Sequence, residues 1–172
     1  MKLQKGEKGE VDVGGFSVPE AGTSICQIME GIDTFHKEET GVVNMMIPLK
    51  IDSVIEGPED NVGQKPSDWI CLKSREGSTP AGAERKLSAY LVNTDLMDKF
   101  VKRFGEDLDP LSDEFLGKLK LALTDKFIGI KHSRRKDNNG KDQFNVETIF
   151  PAGAKKAEAP KAEASGPADE DW

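Results

Sequence analysis

Arg134, Arg135 and Lys136 are consecutive, and with Lys126, Lys131 and Lys141 they set six cations against one acid, Asp137, a net of +5 between Lys126 and Lys141. A hairpin tip that only meets water usually mixes signs or uses neutral turn residues, so a run of one sign is suited to holding phosphates. Aromatic and cationic residues also interleave earlier in the chain: Phe35 beside Lys37, Lys50, then Trp69 with Lys73 and Arg75, and later Phe144. Cations that track a polyanion, alternating with rings on which flat groups stack, form a chemistry tolerant of base sequence, worth about 1–3 kcal/mol per stacked base. Each ring also has a packing role open to it. Trp69 is of a size that fills a core or a barrel mouth, Phe35 is balanced between stacking and core, and Phe127 and Phe144 suit a barrel seam.

The far end of the chain has the opposite sign. From Pro151 to Trp172 there are three lysines against five acids, and the last four residues are Asp169, Glu170, Asp171 and Trp172. Between Ala152 and Ala168 there is no large apolar side chain, so the segment cannot bury enough surface to offset the entropy of ordering it. A flexible tether is expected there, ending in three carboxylates and an indole that suit a basic pocket with an apolar floor. Catalysis has little to build on. His36 and His132 fall in no metal-ligand or triad spacing, and neither a nucleotide-cradling glycine loop nor a cofactor motif is present. No enzyme, cofactor or metal is expected. Cys26 and Cys71 lack ligand spacing and are read as reduced thiols within strands.

The elements that must position these groups can be read from periodicity. A length of 172 residues with 36% hydrophobic residues and 17 glycines suits one domain, placed at residues 1–151, with a linker and acidic tip at 152–172. The net charge of −7 argues against nonspecific nucleic-acid binding only if averaged over the surface. There is no apolar run near the length of a membrane span and no signal-like stretch in Met1–Glu10, so a cytoplasmic protein without a membrane partner is expected. Val43, Met45, Ile47, Leu49 and Ile51 alternate, which predicts a strand with Pro48 at an edge, a bulge or an outward amide. Before it, an extended stretch over Thr23–Phe35 and the turn Lys37–Gly41 complete a hairpin. A third strand over Asp68–Ser74 turns Ile70 and Leu72 one way and Trp69, Cys71 and Lys73 the other. Helical spacing follows, first Leu87, Tyr90, Leu91, Leu96, Phe100 and Phe104 with Thr94 as an N-cap, then a helix opened by Ser112 with Phe115, Leu116, Leu119 and Leu123 facing inward. Two last strands, Lys126–His132 and Gln143–Phe150, flank the turn Asp137–Gly140. The order predicts a mainly β protein: a five-stranded OB-fold barrel with a helical insert between strands three and four. In that fold an oligonucleotide crosses strands two and three between the loops that here hold His36 and Lys37, and Ser133–Lys141.

On three features the chain resembles phage-encoded single-stranded DNA-binding proteins: Val18-Pro19-Glu20-Ala21-Gly22-Thr23 leading into the first strand, the Lys126–Phe150 hairpin, and the tip Asp169-Glu170-Asp171-Trp172. The resemblance implies sequence-independent binding of single-stranded DNA in replication, recombination and repair. It also implies that the tip recruits replication or recombination proteins and competes for the DNA groove. Many members end in Phe, so Trp172 is a departure; the acidic body and helical insert fit phage versions. The DNA-binding residues expected are Phe35, Lys37, Lys50, Trp69, Lys73, Arg75, Lys131, Arg134, Arg135, Lys136, Lys141 and Phe144. The same groove would serve strand annealing, a homo-oligomer is compatible with it, and an adaptor that never touches DNA is the alternative from a different class.

Overall fold

A computed structural model describes residues 18–154, with six strands and three helices in the order β1 (Gly22–Ile28), β2 (Asp33–Lys37), β3 (Val42–Glu56), β4 (Ser67–Lys73), α1 (Ala81–Asn93), α2 (Met97–Phe104), α3 (Asp113–Leu123), β5 (Phe127–Lys136) and β6 (Asp142–Pro151). The alternation in β3 is realised: Val43, Met45, Ile47, Leu49 and Ile51 are buried while Val42, Asn44, Met46, Pro48 and Lys50 are partly exposed on the other face. The expected first strand is two. Glu30 and Gly31, the latter at φ +116°, break the ladder between Ile28 and Asp33. Both halves still pair with β3, β2 along Val42–Met46 and β1 along Leu49–Glu56. Pro48 sits opposite this break, where its missing N–H costs no ladder bond, and its carbonyl accepts from Met29 N–H at 2.8 Å.

All pairings are antiparallel. β4 lies along the other edge of β3, β1 continues to β5, and β5 to β6, leaving β4 and β6 as two edges of the sheet and short β2 paired with β3 alone. The expected five-stranded closed barrel is therefore corrected to a six-stranded open sheet, because no ladder joins β4 to β6. Helix α1 lies across both ends and serves their carbonyls with side chains. Lys86 Nζ donates to Trp69 O on β4 at 3.3 Å, and Asn93 Nδ2 to Ile149 O on β6 at 3.4 Å. The inner sheet face and the helices enclose one core, with Tyr90, Phe100 and Phe115 its largest buried side chains. At Gly129 the absence of a side chain lets the Phe150 ring lie directly on β5.

The helical insert has three members rather than two. Asp95 adopts φ +63° and separates α1 from α2. Thr94 does not cap α2; it ends α1, its hydroxyl donating to Tyr90 O at 2.7 Å, and the start of α2 is set by buried Leu96. Ser112 does cap α3, its Oγ accepting from Phe115 N–H at 3.1 Å, with Asp113 and Glu114 in the first turn. After β6 a single 3-10 turn, Ala152–Ala154, packs against β5. Among the described residues no helix is long and apolar enough to cross a membrane.

Candidate nucleic-acid interface

Strand alternation that buries Ile70 and Leu72 turns Trp69, Cys71 and Lys73 outward. On the same face, Phe35 stands opposite Asn44, Asn44 opposite Cys71, and Met46 opposite Trp69. This register brings the rings of Phe35 and Trp69 together, centroids 5.5 Å apart and planes tilted by 49°. Both remain open to solvent, Phe35 at 46% and Trp69 at 48% of full exposure. Trp69 is therefore not a core residue. Val62, Val92 and Leu121 are also exposed, but on separate elements, as scattered surface apolar residues usually are. Lys37 ends β2 and Lys73 ends β4 at one border of this face, with Arg75 in the turn beyond. Lys50, paired with Gln27, lies on β3 roughly 13 Å along from Met46, so the rings sit between cations at both ends.

Trp69 also forms one wall of a cleft of about 430 Å³ between the β4 and β6 ends of the sheet, lined by Ser67, Lys86, Arg135, Gln143, Phe144 and Asn145 among others. Beneath it lies Asp68, 2% exposed, bonded by Lys86 Nζ at 2.8 Å and by the Tyr90 hydroxyl at 2.8 Å. Burial pushes the Asp68 carboxyl up, and Lys86 and Tyr90 offset that only in part; burial and the neighbouring carboxylate also raise the Tyr90 phenol. Phe144 rests on His132, ring centroids 5.2 Å apart. His132 is buried, with Nε2 3.0 Å from Ser24 Oγ, and burial lowers its pKa against the weaker pull of Glu147.

The basic run does not act as one block. Arg135, opposite Gln143, is exposed, lines the cleft and makes no ion pair among the described residues. Arg134 is engaged by its own chain: Nη2 donates to Val18 O at 2.9 Å and Nε to Pro19 O at 3.3 Å, tying down the segment before β1. Lys136 pairs with Asp142 at 2.7 Å, and this hydrogen bond lowers the Asp142 pKa. Asp142 stands one residue beyond the run counted in the sequence, and it trims the positive charge there. Lys141 is exposed in the turn, its backbone N–H held by Asp137 Oδ1 at 2.8 Å. Lys131 is exposed in mid-sheet between Thr23 and Thr148 and does not line the cleft. The expected partner-binding residues Asp169, Glu170, Asp171 and Trp172 lie outside the described residues.

The structure thus joins Phe35, Trp69, Lys37 and Lys73 on one face, and Trp69, Arg135 and Phe144 in one cleft. Polar members missed from the sequence include Ser67, Asp68, Lys86, Gln143 and Asn145. Asp68 was legible, because the period that buries Ile70 and Leu72 buries Asp68 with them, and Lys86 and Tyr90 are spaced to share a helix face. Both cysteines are free; burial, with Asp52 nearby, pushes the Cys26 thiol up to about 12, and Cys71 Sγ donates to Lys73 O at 3.4 Å. In comparisons with known proteins, no protein-family model and no curated protein matches the chain.

Proposed function

We propose that the chain binds single-stranded DNA with little dependence on sequence, in replication, recombination and repair of the phage type. The observation that carries this reading is the Phe35–Trp69 pair, half exposed and set among Lys37, Lys73 and Lys50. Two adjacent rings left half in water forgo further burial worth about 1 kcal/mol each, and a stacked base restores it while the flanking cations hold phosphates. In this reading the sheet is an OB-type arrangement whose first strand is interrupted and whose seam between β4 and β6 is held open by α1. A strand then runs over the β2–β3–β4 face toward the Arg135 side of the cleft. The tip Asp169–Trp172 recruits replication or recombination proteins and competes with DNA for the same cations.

The test is fluorescence anisotropy with labelled single- and double-stranded oligonucleotides over a salt series. Contacts from Lys37, Lys50, Lys73, Arg75 and Arg135 give a log–log slope of roughly −3.5 for the single strand, at about −0.7 per phosphate. The single strand is expected to bind more tightly, because stacking needs unpaired bases. A flat salt response, or no binding at low salt, would overturn the reading and favour a protein adaptor.

A further inference from the structure

The Trp69–Phe144 cleft holds more polar chemistry than a stacking surface needs. Ser67 lines it with its Oγ buried and without a hydrogen-bond partner in the protein. Gln143 lines it too, and its side-chain amide bonds to nothing among the described residues. Asn145 donates through Nδ2 to Ser133 Oγ at 3.1 Å, leaving its Oδ1 as an acceptor. A buried hydroxyl with no partner is unfavourable unless something else completes it. The two acids at the cleft are each answered by a lysine, Asp68 by Lys86 at 2.8 Å and Asp142 by Lys136 at 2.7 Å, so Arg135 is the cation left for an incoming anion. At about 430 Å³ the volume falls in the range of small-ligand sites, too large for a side chain alone and too small for a strand.

We propose that this cleft seats a single nucleotide of the bound strand, its base between Trp69 and Phe144, its phosphate at Arg135, and its edge read by Ser67, Gln143 and Asn145. The inference rests on the strand-binding reading above and adds base discrimination at one position to a face that otherwise takes any sequence. Every base offers a ring face, but each presents a different set of donors and acceptors at its edge, and only the polar residues can tell these apart.

The experiment compares the affinities of dA, dC and dT oligomers of equal length for the wild-type chain and for the Ser67→Ala/Gln143→Ala double variant. Self-stacking of each oligomer cancels when the two proteins are compared. The ratio between the tightest and weakest oligomer is expected to shrink about fivefold or more in the double variant, while the weakest oligomer binds within about twofold of wild type. An unchanged ratio, with both proteins still binding DNA, overturns the nucleotide pocket and leaves strand binding intact. Absence of binding to every oligomer overturns both. Deoxynucleoside monophosphates form the second arm: saturable micromolar binding that depends on Gln143 would assign the cleft to a free nucleotide and overturn the strand-bound form, whereas weak, unsaturated binding is expected.

Discussion

Two pairs of aromatic rings in this protein meet at nearly the same distance, Phe35 with Trp69 at 5.5 Å and Phe100 with Phe115 at 5.7 Å, yet the second pair is fully buried and the first is about half exposed. The planes are tilted by 49° in the exposed pair and meet nearly edge-on, at 81°, in the buried one, but the larger difference is in their surroundings. Phe100 and Phe115 join α2 to α3 and are already completed by Phe104 and the core. Trp69 sits on a strand whose other face fills the core, and Phe35 on a short strand with no buried residue, so the face the two rings share stays open to solvent.

That contrast breaks first at the core. Phe115→Ala should cost about 3–5 kcal/mol of stability, read as a large drop in the urea midpoint, because the enclosed site cannot collapse. Trp69→Ala should leave the midpoint within about 1 kcal/mol but weaken oligonucleotide binding by about 1–3 kcal/mol, roughly 5- to 150-fold. If Trp69→Ala unfolded the chain instead, the pair would be a core extension.

A similar division separates neighbouring arginines. Arg134→Ala should lower stability by about 1 kcal/mol, since it releases the carbonyls of Val18 and Pro19, with little change in the salt slope of binding. Arg135→Ala should do the reverse: unchanged stability and a salt slope shallower by roughly 0.7. Equal effects of the two on binding would mean that the tie to Val18 and Pro19 gives way when DNA arrives.

The smallest expected effect is a pH dependence. Burial holds the His132 imidazole below its ordinary value, so as pH falls through about 6.5 the unfolded chain takes up its proton first. His132 therefore contributes stability that is present above that pH and lost below it. His132→Gln should flatten the profile between about pH 7 and 5, as measured by urea denaturation; a profile as steep as wild type would place the acid sensitivity elsewhere.

The sequence disclosed local periods well and long-range closure poorly. The alternation of β3 and the Ser112 cap were readable because neighbours along the chain determine them. The break between β1 and β2 rests on one glycine within an apolar stretch, and whether the sheet closes depends on β4 and β6 meeting across more than sixty residues of intervening chain, which no local pattern encodes. Arg134, Arg135 and Lys136 read as one cluster because a charge count ignores the strand period, which sends adjacent side chains to opposite faces. The exposure of Trp69 was set by its face, already correctly assigned by alternation, rather than by its size.

The central claim is that Trp69 stacks on bases. Replacing Trp172 with Phe leaves Trp69 as the single indole in the chain, so its fluorescence reports on that ring alone. Titration of Trp172→Phe with unlabelled oligo-dT at low salt should quench the emission saturably, and added salt should restore it. Emission that stays constant while anisotropy shows the DNA bound would contradict the account.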